Sequence, residues 1–459
     1  MEERENQIEQ AHSHTYEWVF TSEKCGFRKW MEGDDGIFWI KGKPGSGKST
    51  LMKYIVQDIR THQTLSARKR KVLSIPAFFF HDRGVHDMQK SFEGLLRSII
   101  YQLLNDIPSL TSAVEAIYLQ QLEQYGHCSW PVAELERTLQ AIIHQQTVSG
   151  CVCLFIDALD EYQGTKDSIT RFLKSLAKPP ATNQKLTVRI CASSREWTVF
   201  GLLLSDFAHL TLQDFTKGDI ERFAQDRLTE AKRDDSRDLL DGILQRADGV
   251  FLWVKLVIDE LLEPLFDGEP IGDLINRLSE LPDELPDFYQ RMLSSVSERN
   301  HVVAVSLFEL VLASECREIS TSEVCLALDL IRPGSKLPDG LNLDTNANKQ
   351  RISELRRRVK AYSGGLLEIA SSGAGSYNGF GNIQGPDDTH GPEDNSQSPA
   401  KGRTKDSPLQ FIHQTAKTFV ESTKDRAWFG GKSAVDLAHS GLEKAARLHI
   451  QLIKHMHAT

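Results

Sequence analysis

A chain of 459 residues is longer than one ordinary core accommodates, and its formal net charge of −9 argues against a protein that works by neutralising many phosphates, so nucleic acid is not an expected partner. Hydrophobic residues at 40% and charged residues at 25% exclude the wholly disordered, collagen-like and disulfide-scaffold classes. Seven cysteines, at 25, 128, 151, 153, 191, 316 and 325, suit neither a disulfide framework nor a zinc site and point to a reducing, cytoplasmic setting.

The chain opens on the charged stretch MEERENQIEQ and has no run of about 20 apolar residues, so neither secretion nor a membrane partner is expected. After a helical lead-in over 1–33, short apolar runs alternate with longer stretches of helical period, the pattern of a parallel sheet with helices on its faces. Strands are predicted over 37–40, 72–80, 151–156, 187–192 and 209–212, and helices over 88–105, 112–125 and 133–144. Residues 34–214 thus read as one α/β domain. Cys151 and Cys153 alternate along an apolar strand and read as small buried side chains, not metal ligands. Helices over 219–228, 239–246, 249–262 and 274–278 make a helical domain over 215–281, in which the aromatic stretch 251–257 reads as core. Pro282 and Pro286 mark a break. Beyond it, helices over 287–297, 301–312 and 351–362, a capping box at Ser320-x-x-Glu323, and strands over 366–370 and 409–412 predict a winged-helix-like domain over 282–433. Its hairpin connection, 371–408, holds 24 Gly, Ser, Pro, Asp or Asn among 38 residues and is expected to be disordered, because so little apolar surface cannot offset the ordering entropy. An amphipathic helix over 434–456 follows.

The motif richest in chemistry comes directly after the first strand. Gly42-Lys43-Pro44-Gly45-Ser46-Gly47-Lys48-Ser49 matches G-x-x-x-x-G-K-[ST] between a strand and a helix. Glycines let backbone N–H groups turn inward around phosphates, and the following helix adds the positive end of its dipole. Lys48 is placed to reach the β- and γ-phosphates, Ser49 offers a hydroxyl to Mg2+, and Thr50 extends the helix start. An acidic partner is expected on a neighbouring strand, and the run 151–156 ends in Asp157-Ala158-Leu159-Asp160-Glu161. Asp157 is expected in the Mg2+ shell, Ala158 keeps the turn small, and either Asp160 or Glu161 orients or deprotonates the attacking water. The next strand brings Ser194 and Arg195 to the same sheet edge, where a guanidinium fork suits the γ-phosphate. His81-Asp82-Arg83-Gly84 has equal claims as site and as plain loop and receives no role.

With GKPGSGKSTL, LFIDALDE and ICASSR in this order, the sequence resembles NACHT-type NTPases of the STAND signalling class, in the fungal NLR-like group related to nephrocystin-type N-terminal domains. TYEWVF, FRKWMEGDDGIFWIKG, LTLQDFTKGDI, ADGVFLWVKLV, LPDELPDFY and FIHQTAKTFV extend the resemblance over nearly the whole chain. It implies a nucleotide-controlled switch in an intracellular defence or incompatibility-type response. ADP holds such a switch closed, exchange for ATP opens it, opened chains self-associate to engage an effector, and slow hydrolysis resets it. The implied ligands are ATP and ADP with Mg2+. GTP is the alternative, since Gly249-Val250-Phe251 stands where several relatives carry an adenine-contacting Gly-x-Pro. His413 in FIHQT resembles the winged-helix histidine that contacts the ADP β-phosphate of the closed form. Glu196 and Trp197 follow Arg195 where many relatives place Pro directly. No effector module is recognised before residue 20 and no repeat array towards the other end, as expected of a short family member or a truncated gene, so the effector and sensor partners stay unnamed. The competing readings are a P-loop enzyme such as a small-molecule kinase, which would need an Arg-rich lid, and a binding-only regulator; the domain order favours the switch.

Overall fold

The computed structural model describes residues 3–66, 71–82, 87–177, 185–230, 236–313, 319–331, 346–369 and 407–423. They fall into two compact units: the first takes in residues up to Met292 and the segment that starts at His413, the second those from Leu293 to Ile412.

The first unit is built on a parallel sheet of β1 (Ile37–Lys41), β2 (Val72–Ser74), β3 (Ala77–Phe79), β4 (Gly150–Asp157), β5 (Leu186–Ser194) and β6 (Ala208–Thr211). Their order is β2-β4-β5-β1-β6, with β3 also paired to β4. The single strand expected over 72–80 is therefore two short ones, because Pro76 between them has no N–H to give to a ladder. Successive side chains of a strand point to opposite faces. Trp39, Val152, Leu154, Ile156 and Ile190 accordingly join a core on one face with residues of the helices Phe92–Asp106 and Val132–His144. Phe38, Ile40, Cys151, Cys153, Phe155 and Cys191 join a second core with Trp30 and with Leu51, Met52 and Ile55 of the helix Lys48–Gln57. Cys151 and Cys153 are small buried fillers, as expected, and both covered faces explain why these strands read as continuous apolar runs.

One expectation needs correcting: the acidic strand β4 does not neighbour β1. β5 lies between them, pairing with β1 from Ile37↔Ile190 to Lys41↔Ser194 and with β4 from Gly150↔Leu186 to Ile156↔Ala192. The two motifs still meet, since one intervening strand separates them by only about 10 Å and long side chains at the strand ends span part of that gap.

β5 also carries a charge that its apolar pattern conceals. Arg189 is 3% exposed, and its guanidinium lies over the Trp30 ring, 4.3 Å from the centroid. It donates to the carbonyl oxygens of Met31 (3.0 Å), Asp35 (3.1 Å) and Trp30, capping the C-terminal end of the helix Phe27–Glu32 that leads into β1. Arg189→Leu strands those acceptors in the interior, so we expect a loss of about 3 kcal/mol, or roughly 5 °C in Tm by thermal melt. An unchanged Tm would show that the cap is not needed.

Past the sheet, the helices Lys217–Thr229, Arg237–Arg246, Phe251–Phe266, Ile271–Glu280 and Leu285–Ser294 follow close to the predicted spans. Trp253, Val254 and Val257 are buried, so the aromatic stretch is core.

In the second unit, the helices His301–Ala313, Thr321–Ile331 and Asn346–Ser363 precede an antiparallel pair, β7 (Leu367–Ile369) and β8 (Leu409–Phe411), which is the expected helices-then-hairpin order. The capping box forms: Ser320 N–H donates to Glu323 Oε2 (2.9 Å), and Glu323 N–H donates to Ser320 Oγ (3.3 Å). Of the connection expected to be disordered, Ser407 and Pro408 are described; the Ser407 carbonyl accepts from Thr321 N–H at 3.1 Å, and Pro408 bridges to Ser320. Residues 371–406 and the helix predicted over 434–456 lie outside the described residues. Among the described residues, no helix is long and apolar enough to cross a membrane.

Candidate functional site

The loop from Gly42 to Gly47 leaves β1 and opens directly into the helix Lys48–Gln57. Gly45 and Gly47 have φ of 72° and 93°, the left-handed region that side chains resist. A Cβ at Gly47 would lie 2.3 Å from the Tyr16 hydroxyl, so only glycine fits there. Lys48 folds back over the loop, its Nζ donating to the carbonyl oxygens of Gly42 (3.0 Å) and Lys43 (2.9 Å). Burial lowers its pKa, and Arg195 adds to this, while Asp160, Asp157 and Glu161 oppose it. Ser46 Oγ is buried without a hydrogen-bond partner among the described residues.

Across β5 stands the acidic turn. Asp157 is fully buried at the end of β4; its Oδ1 accepts from Ser193 Oγ, and its Oδ2 has no hydrogen-bond partner among the described residues. Burial raises its pKa, only partly offset by the Ser193 and Ser49 hydroxyls and by the charges of Arg4 and Lys48. Ala158 takes a left-handed φ of 58°, so its smallness eases a strained turn. Asp160 spends both oxygens on Arg195, accepting its backbone N–H at 3.0 Å and its Nε at 2.9 Å. Glu161 Oε2 accepts the backbone N–H of Asp82 at 3.0 Å.

A hard divalent cation fits this set. No group of three or more His, Cys, Asp or Glu that could hold a metal occurs among the described residues, and what remains is one carboxylate with an unmet oxygen near one hydroxyl, Ser49. Mg2+ takes such a sparse protein shell when phosphate oxygens and waters fill the rest.

The structure brings Lys48, Asp157, Asp160, Glu161 and Arg195 within one electrostatic cluster. Ser194 turns away from it. Its Oγ accepts from Trp39 Nε1 at 2.9 Å, and it is Ser193, to which the sequence assigned no role, that meets Asp157. The signal was available, because Ser193 shares strand parity with Cys191, which faces the P-loop helix side. His413 caps the helix Gln414–Ser422, its Nδ1 accepting Thr415 N–H at 3.1 Å, while the adjacent Gln414 reaches the acidic turn through Asp82.

Several contributors went unnoticed in the sequence. Gln213 Oε1 accepts Lys43 N–H (3.2 Å), Leu252 N–H donates to the Gly45 carbonyl (3.0 Å), and Lys43 pairs with Asp248. The segment at Gly249-Val250-Phe251 thus sits against the loop although it lacks a Pro. Asp219 Oδ2 accepts both Tyr16 N–H (3.1 Å) and Trp18 Nε1 (2.7 Å), pinning TYEWVF to LTLQDFTKGDI, and the Tyr16 hydroxyl donates to the Gly47 carbonyl at 3.4 Å. Burial, then Asp219, raises the Tyr16 phenol far above its ordinary range, so it stays a donor.

A strand, a phosphate-cradling loop, its lysine and a buried carboxylate across the sheet define a P-loop NTPase. Residues 14–195 match the family described as Nephrocystin 3, N-terminal. Over 342 residues the chain is 25% identical to the Vegetative incompatibility protein HET-E-1 of Podospora anserina, a match covering 71% of this chain and 24% of that protein, so it spans about a quarter of that relative. Among solved structures, a Signal Transduction ATPase with Numerous Domains (STAND) protein with a tetratricopeptide repeat sensor from Pyrococcus horikoshii aligns at TM-score 0.41 and 11% identity over 97% of this chain and 49% of that one. Drosophila ORC bound to DNA aligns at TM-score 0.32 and 14% identity over 78% and 88%. The parallel sheet with its glycine-rich loop makes this an α/β P-loop fold, and residues 14–195 are similar to the nephrocystin 3 N-terminal family.

Proposed function

We propose that this chain is a nucleotide-controlled signalling switch that binds ATP and ADP with Mg2+, hydrolyses slowly, and self-associates on activation in a cytoplasmic incompatibility-type response, with GTP as the alternative nucleotide. The observation that carries it is the buried Asp157 Oδ2, without a hydrogen-bond partner among the described residues, across the sheet from a lysine-bearing phosphate loop. The name of the Podospora anserina relative supports the incompatibility setting.

In this reading the backbone from Gly42 to Thr50 cradles phosphate, and Lys48 exchanges its two carbonyl partners for β- and γ-phosphate oxygens. Ser49 and Asp157 hold Mg2+, which when bound neutralises charge on those oxygens. Asp160 holds Arg195 in place for the γ-phosphate. Because Asp160 spends both oxygens on that pairing, Glu161 is the residue that orients the water. His413 contacts the ADP β-phosphate of the closed form. The working parts are a lead-in over 1–33, the NTPase domain over 34–214, a helical domain over 215–281, a winged-helix-like domain over 282–433 and a terminal helix over 434–459. An effector or sensor protein completes the pathway.

The test is the nucleotide released when freshly purified protein is denatured, with light scattering before and after Mg·ATP is added. Bound ADP and a monomer that assembles on ATP are expected. An empty site with rapid turnover and constant mass overturns the switch. Glu161→Gln is expected to keep ATP affinity and lower turnover about 100-fold, the scale of a lost general base.

A further inference from the structure

We propose that Asp82 and Gln414 are positioning residues for Glu161, so that the helix Gln414–Ser422 sets the turnover rate of the P-loop site; this rests on the reading of Glu161 as the residue that orients the attacking water. The loop after β3 is stitched to the acidic turn. Phe80 N–H donates to the Asp157 carbonyl (3.2 Å), Asp82 N–H to Glu161 Oε2 (3.0 Å), and Gln163 Nε2 lies 3.4 Å from Asp82 Oδ1. The other Asp82 oxygen, Oδ2, accepts from Gln414 Nε2, a residue 332 positions away. Two contacts seat the helix: the Tyr289 hydroxyl lies 2.7 Å from Thr415 Oγ1, and the Tyr289 and Phe419 rings are 5.6 Å apart.

The chain of bonds has a chemical direction. An N–H aimed at a carboxylate oxygen makes that oxygen a poorer proton acceptor and fixes where it points. With the helix seated, Gln414 anchors Asp82, and Asp82 in turn occupies Glu161. With the helix released, Asp82 loses that anchor and Glu161 turns to water. Gln414 is 6% exposed, and its Oε1 is buried without a hydrogen-bond partner among the described residues. The cost of that stranded oxygen offsets much of the gain from the bond to Asp82, leaving the contact near balance, which a releasable contact requires.

The experiment measures steady-state Mg·ATP hydrolysis, the Kd of a fluorescent ATP analogue, and amide exchange over 414–422 in the full chain. Three proteins are compared: wild type, Gln414→Glu, and the pair Asp82→Asn with Gln414→Glu. The single change sets two carboxylates against each other, and we expect kcat to rise about tenfold, with KM and Kd within about twofold and faster exchange in the helix. In the pair, donor and acceptor trade sides, and kcat returns to the wild-type value. A purely structural role would lower stability and affinity without that rescue. If kcat of Gln414→Glu equals that of wild type while exchange shows the helix loosened, or if the pair fails to restore it, the positioning role is wrong. Retained nucleotide binding would then leave the switch standing, whereas a wild-type chain that binds no nucleotide ends both readings.

Discussion

Lys48→Ala is expected to weaken nucleotide binding about a thousandfold, a loss of ~4 kcal/mol when two charge-assisted phosphate contacts disappear. Without phosphate, the ammonium rests on the carbonyl oxygens of Gly42 and Lys43, so the ligand-free loop already presents it where phosphate oxygens would sit. The protein should survive the change. Burial lowers the Lys48 pKa, which means that the unfolded chain holds the proton more tightly than the folded one. Between the lowered folded value and the ordinary lysine range, stability of the ligand-free protein therefore rises with pH, and Lys48→Ala removes that rise. Titration calorimetry with Mg·ATP and thermal melts at several pH values measure both effects; undiminished affinity would remove the P-loop from the mechanism.

The second large effect is that Asp157→Asn stabilises the ligand-free protein while disabling the site. A fully buried carboxylate is a burden on the fold, and burial accordingly raises its pKa, an effect the Ser193 and Ser49 hydroxyls only partly offset. Below the ordinary carboxylate range both states hold the proton and the burden is absent. As pH rises through that range towards the raised folded value, the unfolded chain loses its proton first and stability falls. The amide keeps the Ser193 hydrogen bond and carries no charge, so at neutral pH we expect a gain of about 1–3 kcal/mol. We expect turnover to drop about 100- to 1,000-fold, since several kcal/mol of charge stabilisation depends on the ligand lost. Opposite movement of Tm and kcat is the signature of a residue retained for chemistry at the expense of stability. A destabilised variant would mean that Asp157 is a structural ion, and a fully active one that it holds no metal.

Much of the site was readable because its chemistry is local. A strand, a glycine-rich turn and a helix start occupy consecutive residues, and an apolar run that ends in acids announces a buried strand edge. Helix spans followed from apolar periodicity in the same way, and the capping box at Ser320 and Glu323 formed as its spacing foretold. Where the reading slipped, the missing information was geometric. Parity along one strand exchanges Ser193 for Ser194, and a tetrapeptide at 81–84 gives no hint that the Asp82 backbone N–H will meet Glu161.

The sequence alone determined the P-loop pattern, with Lys48 and Ser49 at a helix start and Asp157 at the end of a buried strand, and the alternation of sheet and helices that carries them. Tertiary structure decided the pairings: β5 between the two motif strands, Asp160 on Arg195, Arg189 beneath an earlier helix, and Gln414 on Asp82. The division has a physical cause. Hydrogen bonds within a turn or a helix are set by neighbours in the chain and leave a spacing that can be read. Contacts between distant segments depend on which faces the folded sheet brings together, and many sequences with the same local pattern would pair differently.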